Sequence, residues 1–289
     1  EPSVVAVNQK TGRVVAVGSA AKDMLGRTPP HIDAVRPLVD GVISDYEVTE
    51  EMIAYLLNSA QSARKKLFGP RVVVGVPSGI TNVETRAVRD ATRGAGARDV
   101  YIIEEPMAAA IGIGLAVFEP IGTMIVDIGG GTTDIAVISL GGIVTSRNVR
   151  IAGDRFDTDI ITYVRNEFKM LIGEKTAEYI KKKVASLELD GKTREASIRG
   201  RDLVTGLPRE MMITDADVRE AFSHSVDTLL DSIKEVIEAT PPEIIADVSK
   251  RGIYLTGGGA LIPGLAELIA DWLKIPVKYN LSVRFSIFN

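Results

Sequence analysis

The sequence predicts an α/β fold with two domains. The chain has 289 residues, which is more than a single hydrophobic core usually serves. Short β-branched runs alternate with amphipathic helical stretches along the chain, a pattern typical of mixed sheets covered by helices. Two of the strand-like runs lead into glycine triplets, at residues 129–131 and 257–259. We therefore expect two special backbone turns at the ends of strands.

Composition narrows the classes of function. Hydrophobic residues make up 45% and charged residues 25% of the chain, which is ordinary for a globular protein. The formal net charge of -4 offers no basic field, so we expect no nucleic-acid partner. The chain has no cysteine, which excludes disulfides, thiolate metal sites and a cysteine nucleophile and favours a reducing cytoplasm. Its only histidines are His31 and His224. No membrane-spanning run or export leader is predicted.

The first third of the chain contains a hairpin and three helical segments. Residues 3–7 and 14–17 are predicted to pair as a hairpin. Thr49 is predicted to cap a helix over residues 50–66. Thr81 and Glu84 form a capping box that opens the next helix. The third helix is Ala-rich, begins after a strand at 100–104, contains Pro106 in its first turn, and extends to about residue 116.

The rest of the chain alternates in the same way. Strands are predicted at 123–127, 134–139 and 143–151, followed by a helical stretch at 154–186 and short strands within 193–213. A helix capped by Thr214 is predicted to run to residue 238. The last predicted strand, at 252–255, leads through a glycine turn into a helix that ends at 273. The middle of this region is expected to form a smaller subdomain.

The strongest motif is Ile-Val-Asp-Ile-Gly-Gly-Gly-Thr-Thr-Asp at residues 125–134. An apolar strand ends in Asp127, whose carboxylate can hold Mg²⁺ through its waters. Backbone N–H groups that no Cβ obstructs can approach phosphate oxygens, and hydroxyls add further donors. A tight hairpin is the alternative interpretation, but it requires only one or two glycines and no strand-end aspartate. The candidate phosphate-binding residues are Gly129, Gly130, Gly131, Thr132 and Thr133.

A second glycine turn follows the strand at 252–255. Bare backbone of this kind can lie against a flat purine or ribose, and a helix N-terminus favours nearby phosphate. A plain strand-to-helix turn is the alternative. The presence of two such turns in one chain favours a nucleotide site, in which the adenosine side consists of Gly257, Gly258 and Gly259.

Together with these motifs, further segments resemble the actin, sugar-kinase and heat-shock chaperone ATPase superfamily, and within it the bacterial actins of the MreB type. The resemblance covers nearly the whole chain. It rests on Glu-Pro-Ser-Val-Val-Ala at 1–6, Lys-Asp-Met-Leu-Gly-Arg-Thr-Pro at 22–29, Arg-Pro-Leu to Asp at 36–45, Pro-Ser-Gly-Ile-Thr at 77–81, Ile-Glu-Glu-Pro-Met-Ala-Ala-Ala at 103–110 and Thr-Gly-Leu-Pro-Arg at 205–209. It implies an actin-like ATPase fold.

The resemblance implies two α/β domains, each with a small insertion subdomain, around a cleft for ATP and Mg²⁺. Domain I is expected at residues 1–118, with an insertion at about 6–47, and is completed by about 275–289. Domain II is expected at 119–274, with an insertion at about 155–218. The family's first phosphate hairpin is expected before Glu1, and without it ATP binding is expected to be weak. Residues 277–289 do not match the family's final strand and helix.

The resemblance also assigns roles to single residues. Glu105 would orient the attacking water with help from Thr132, and Asp127 would lie on the metal side. Read from the residues alone, Glu104 and Glu105 are helix-start acids favoured by the helix dipole. The residues that would close over the nucleotide sugar and base are Gly153, Asp154, Glu174 and Lys181.

The basic run that contains Lys181 has a second interpretation. Lys181, Lys182 and Lys183 equally fit a solvated helix face. Lys183 stands where MreB-type proteins commonly have a glutamate, which places the ribose contact there in question.

The implied function is a cytoskeletal ATPase. Its subunits would assemble head to tail into filaments at the inner face of the cytoplasmic membrane, where they would organise cell-wall synthesis and rod cell shape with cell-shape and wall-synthesis proteins. Leu67 and Phe68, after the basic run 64–66, would contact lipid; covering the local core is the alternative. A small-molecule kinase, which needs a sugar pocket, and a chaperone-type ATPase, which needs a peptide-binding β-domain, are the alternative functions.

Overall fold

The computed structural model describes residues 2–39, 41–61, 69–189 and 191–279. The chain divides into two compact units, with the boundary between Ala108 and Ala109. Each unit combines strands and helices. Within the described ranges, no helix is both long enough and apolar enough to cross a membrane.

Unit 1 begins with a small sheet and continues with alternating strands and helices. Its elements are β1 (Val5–Asn8), β2 (Arg13–Val17), α1 (Ser19–Met24), β3 (Ile32–Val35), β4 (Leu38–Val39), β5 (Val42–Ile43), α2 (Tyr46–Ala60), β6 (Arg71–Val76), α3 (Asn82–Gly94), β7 (Asp99–Glu104) and α4 (Glu105–Gly112), in which the boundary falls.

The predicted hairpin at the start of unit 1 is confirmed. β1 pairs antiparallel with β2, with Val5 opposite Val17, and β3 pairs with the other edge of β1. The side-chain oxygen of Asn8 accepts the backbone N–H of Lys10 at 3.0 Å, so Asn8 shapes the turn by an Asx bond. Val5 and Val17 are buried together with Met52 of α2.

Helix α2 begins earlier than predicted. Asp45 is its N-cap and accepts the N–H of Val48. Thr49, the predicted cap, lies inside the helix, where its hydroxyl donates to the carbonyl of Asp45 at 2.6 Å. The prediction of Thr49 as the cap is therefore wrong, because Asp45 provides a carboxylate one residue before the first helical position. Residues 62–68, and with them Leu67 and Phe68, lie outside the described ranges.

The second part of unit 1 places Glu105. β6 and β7 pair in parallel, with Val76 opposite Glu104. The predicted capping box of Thr81 and Glu84 is confirmed at the start of α3. Helix α4 follows β7 without a break, so Glu105 is its first residue.

Unit 2 contains a larger sheet and, at Asp215–Glu238, the longest of the described helices. Its elements are β8 (Thr123–Ile128), β9 (Thr133–Ser139), β10 (Gly142–Val149), α5 (Gly153–Glu167), β11 (Met170–Leu171), α6 (Glu174–Val184), β12 (Glu195–Asp202), β13 (Pro208–Thr214), α7 (Asp215–Glu238), α8 (Pro242–Arg251), β14 (Ile253–Thr256), a short 3₁₀ helix (Gly259–Leu261), α9 (Leu265–Leu273) and β15 (Val277–Tyr279).

The main sheet of unit 2 has the strand order β10-β9-β8-β14-β15. β8, β9 and β10 are antiparallel, whereas β14 runs parallel to both β8 and β15. β8 and β9 are mostly apolar and are buried along almost their whole length, as is typical of strands in the interior of a covered sheet. Phe156 of α5 and Phe222 of α7 pack with ring centroids 4.6 Å apart in the same core.

A smaller sheet of β11, β12 and β13 lies between α5 and α7 in the sequence. The predicted helical stretch at 154–186 is wrong as a single helix. Helix α5 ends at Glu167, Lys169 adopts a φ of 51°, and β11 intervenes before α6 begins. The left-handed conformation at Lys169 breaks the helix without a glycine or proline to signal it. The predicted start of α7 is confirmed, with Thr214 and Asp217 forming a capping box.

Candidate functional site

A row of polar side chains crosses the main sheet of unit 2. Asp127 of β8 lies opposite Asp134 of β9, and Asp134 lies opposite Asn148 of β10. On the other side, Thr256 of β14 pairs with Asp127. Residues directly opposite each other in a sheet point to the same face, and the amide of Asn148 donates to Asp134 Oδ2 at 2.9 Å. These four residues form a polar row across four strands of the sheet.

Two carboxylates in this row repel each other. Burial, and then the negative charge of Asp134, raise the pKa of Asp127 to about 7. A bound cation would oppose both causes, because it favours the ionised carboxylate. In the described ranges no group of three or more histidine, cysteine or acidic residues could hold a metal ion. Mg²⁺ keeps several waters and takes few protein ligands, and a role of Asp127 in holding it stays a prediction.

The first glycine turn is anchored to helix α5. The N–H of Gly129 donates to the carbonyl of Thr132 at 2.9 Å, which closes the turn between β8 and β9. The N–H groups of Gly153 and Asp154, the first two residues of α5, donate to the carbonyls of Gly129 and Gly130 at 3.1 and 2.7 Å. The structure thus brings together two predicted groups of site residues, because the start of α5 fixes the loop.

The two threonines of this turn are placed differently. Thr133 is fully buried, and its hydroxyl donates to the carbonyl of Ile151 at 2.5 Å. It ties β9 to the segment that leads into α5. Thr132 keeps 9% of its surface exposed. Contact of either hydroxyl with phosphate stays a prediction, and Thr132 is the better placed of the two.

Lys181 of α6 joins the same cluster. Its Nζ donates to the carbonyl of Gly153 at 2.7 Å and to Oδ2 of Asp157 at 2.8 Å. The Lys181 side chain is only 15% exposed, whereas Lys182 and Lys183 are exposed. The solvated-face interpretation of the basic run therefore holds for those two residues and not for Lys181.

Glu174 and Lys183 lie elsewhere on α6. Glu174 is the exposed first residue of that helix. The Nζ of Lys183 donates to the hydroxyl of Tyr179 at 2.7 Å. A role of Glu174 at a nucleotide sugar stays a prediction.

The second glycine turn packs against the end of β8. Gly257 has a φ of 85°, and a Cβ on it would lie 2.6 Å from Asp127 Oδ1. A Cβ on Gly259 would overlap the side chain of Ile128, whereas one on Gly258 would meet nothing within 4 Å. Gly257 and Gly259 thus allow the turn to approach β8, and the space beside Gly258 is open to a ligand.

The predicted start of the helix that follows this turn is wrong. A 3₁₀ helix, Gly259–Leu261, comes first, and α9 begins only at Leu265. Gly264, with a φ of 83°, separates the two. Residues 257–259 are therefore not the N-terminus of α9, and the dipole of that helix does not begin at the glycine turn.

Substitution of these glycines has a clear expected outcome. Gly257→Ala should destabilise unit 2 by about 2 kcal/mol or more, because the Cβ is strained at this φ and collides with β8. Gly258→Ala is the matched control and should change the free energy of unfolding by less than about 0.5 kcal/mol. Urea denaturation of both variants measures the difference, and equal stability of the two would contradict this account of the turn.

Glu105 is described within unit 1. A Cβ on Gly75 of β6 would lie 3.3 Å from Glu105 Cγ, so the acidic side chain lies across β6. The glycine turns and Asp127 belong to unit 2. A joint action of Glu105 with those residues stays a prediction.

Sequence reasoning missed several members of this cluster as site residues. Asp134 was part of the motif but had no assigned role, and Asn148, Asp157 and Thr256 were not singled out. The strand register that aligns them was not readable from one sequence. Asp157 carried a weak signal, since it lies three residues after Asp154 on a predicted helix and so faces the same side.

Comparison with known proteins decides the family. The model of the MreB/Mbl protein family matches residues 1–285. The chain belongs to the MreB/Mbl family. It is 51% identical over 278 residues to the cell shape-determining protein Mbl of Bacillus subtilis, covering 96% of this chain and 83% of that protein. It is 49% identical over 281 residues to the cell shape-determining protein MreB of Escherichia coli, covering 96% and 81%.

A solved structure extends this to the fold. The crystal structure of MreB5 of Spiroplasma citri bound to AMPPNP is 40% identical to this MreB/Mbl chain, with a TM-score of 0.91 over 96% of this chain and 84% of that one. The predicted actin-like ATPase fold is therefore confirmed. The predicted resemblance to MreB-type bacterial actins is confirmed as well.

Proposed function

We propose that this MreB/Mbl chain is an actin-like cytoskeletal ATPase that binds ATP with Mg²⁺ and assembles head to tail into filaments that determine cell shape. The observation that supports this most is similarity over 96% of the chain to proteins named for cell-shape determination. The nucleotide-bound MreB5 structure supports nucleotide binding. A kinase or chaperone function is not favoured, because one family model accounts for residues 1–285.

In this proposal, the two glycine turns hold the nucleotide. The turn at 129–133, fixed by α5, would take the phosphates, and the open space beside Gly258 would take the adenosine. Lys181, at the carbonyl of Gly153, would lie near the sugar. Asp127 would hold Mg²⁺ through waters, and the ion would neutralise phosphate charge.

The hydrolytic step is assigned to Glu105 and Thr132. A carboxylate at the first residue of a helix can hold a water by a hydrogen bond and accept its proton as the water attacks the terminal phosphate. The hydroxyl of Thr132 would fix the orientation of that water. This division of roles follows from the family resemblance.

Electron microscopy tests the proposal. The full-length protein with Mg-ATP is expected to form filaments, whereas the protein without nucleotide is expected to form few. The two alternative functions predict no filaments under either condition. Absence of filaments over a range of protein concentrations, with ATP shown to bind, would contradict the cytoskeletal function.

We further propose that the filaments lie in the cytoplasm at the inner face of the membrane and act with cell-shape and wall-synthesis proteins. Leu67 and Phe68 are the candidate lipid contacts, next to the basic residues 64–66. Replacing both with serine should reduce co-sedimentation with anionic liposomes, because each buried apolar side chain contributes roughly 1.5 to 3 kcal/mol. Stability should change little. Loss of thermal stability with unaltered lipid binding would instead support packing in the core.

A further inference from the structure

Asp157 is a buried carboxylate that uses only one of its oxygens. It lies on α5, and its side chain is 13% exposed. Oδ2 accepts a hydrogen bond from Lys181 at 2.8 Å. Oδ1 is buried and has no hydrogen-bond partner among the described residues. Buried polar atoms nearly always find a partner, so an exception calls for a functional explanation.

Stability does not explain this carboxylate. Burial raises the pKa of Asp157 even though the ammonium of Lys181 lowers it. The desolvation of a buried ion pair often offsets its attraction, and the incomplete bonding of Oδ1 adds to the cost. An apolar contact between α5 and α6 would serve the fold equally well.

The carboxylate is connected to the phosphate turn by a short series of contacts. Asp157 holds Lys181, and Lys181 donates to the carbonyl of Gly153 at 2.7 Å. The N–H of Gly153 donates to the carbonyl of Gly129, and that of the next residue, Asp154, donates to Gly130. The ammonium of Lys181 therefore links α6 to the backbone that fixes the glycine turn.

We propose that Asp157 is a positioning residue of the nucleotide site: by holding the ammonium of Lys181 at the Gly153 carbonyl, it couples α6 to the glycine turn. This inference rests on the proposed nucleotide binding. Asp157 does not touch the nucleotide in this scheme. It fixes the orientation of the Lys181 side chain and thereby the position of α6, on the sugar side of the site, relative to the glycine turn on the phosphate side.

The test compares Asp157→Asn with Glu178→Gln in the full-length protein. Glu178 accepts a bond of 2.7 Å from Lys182, whose side chain is exposed, so Glu178→Gln also removes one carboxylate from a pair with a lysine of α6. Asp157→Asn should weaken the binding of Mg-ADP by roughly 10-fold or more, which is the scale expected when a residue that orients a ligand-binding side chain is replaced. Its melting temperature without nucleotide should stay equal to that of the control or rise. Glu178→Gln should bind Mg-ADP as the unaltered protein does.

A double-mutant cycle separates positioning from general damage. If Asp157 acts through Lys181, adding Asp157→Asn to Lys181→Met should cause no further loss of Mg-ADP affinity. Additive losses, unchanged affinity of Asp157→Asn, or a melting temperature well below that of the control would each overturn the inference. Failure of the unaltered protein to bind Mg-ADP would instead overturn the proposed function.

Discussion

Glu105→Ala is expected to slow ATP hydrolysis by ~10² or more while leaving nucleotide affinity largely intact, the scale typical of a positioned acid-base group. Glu105 begins α4 and lies against Gly75. If it anchors the attacking water as we propose, loss of its carboxylate removes that anchor and leaves the glycine turns of unit 2 unaltered. Filaments should persist longer, because the ATP state is retained. Phosphate release from the full-length protein, measured beside filament lifetime, checks both expectations.

Glu104→Ala is the matched control for this prediction. Glu104 is the last residue of β7, immediately before Glu105, and is exposed. Loss of its charge should change the hydrolysis rate by less than about twofold, since an acid beside a helix start contributes only to stability, through its interaction with the helix dipole. Equal rates for Glu105→Ala and the unaltered protein would remove Glu105 from the mechanism.

Asp127→Asn is expected to stabilise the nucleotide-free protein and to weaken Mg-ATP binding. The pKa of Asp127 is raised from 3.8 to about 7, so the folded state binds this proton more tightly than the unfolded state. The stability of the unaltered protein should therefore fall as pH rises from about 4 to about 7 and stay low above that. Asparagine carries no charge to bury, so the variant should gain up to roughly 4 kcal/mol above pH 7.

Urea denaturation in EDTA at about pH 5 and about pH 8 measures this difference. The advantage of Asp127→Asn should be larger at the higher pH. Asp271→Asn, at an exposed position of α9, is the control and should show no such pH dependence. A variant less stable than the unaltered protein at the higher pH would show that the folded protein stabilises the ionised Asp127 carboxylate more than we infer.

Much of the fold was predictable because local signals were strong. The strands at 123–127 and 134–139 are apolar runs bounded by a glycine turn, and both are confirmed. The capping box of Thr81 and Glu84 and the cap at Thr214 were readable because the residues that make them lie within four residues of sequence. In each case the determinants are neighbours in the chain.

The errors arise where local signals compete or are silent. Asp45 and Thr49 are both acceptable caps, and the structure uses Asp45. The break between α5 and α6 occurs at Lys169, a residue that gives no warning of a left-handed turn. Gly264, rather than the glycine triplet, sets the start of α9. Tertiary contacts override propensity at these positions.

The candidate site was predictable in its motifs but not in its connections. The glycine turns could be recognised from composition and spacing. The polar row needs the register of four strands, and the contact between Lys181 and Asp157 needs the packing of α6 on α5. Such pairings depend on residues distant in sequence, which a single chain does not reveal.

The parallel pairing of β14 with β8 also governs when the site can form during synthesis. β8 meets its hairpin partner β9 at once, but its other edge waits until residues 129–252 have been made and the chain has returned to β14. Such long-range pairings raise contact order and slow folding. Until β14 arrives, a nascent chain has the first glycine turn without the second, and the edge of β8 that pairs with β14 is uncovered. If the two glycine turns hold the nucleotide as we propose, unit 2 can capture it only after β14 has paired, and the uncovered edge of β8 is open to wrong pairings in this interval.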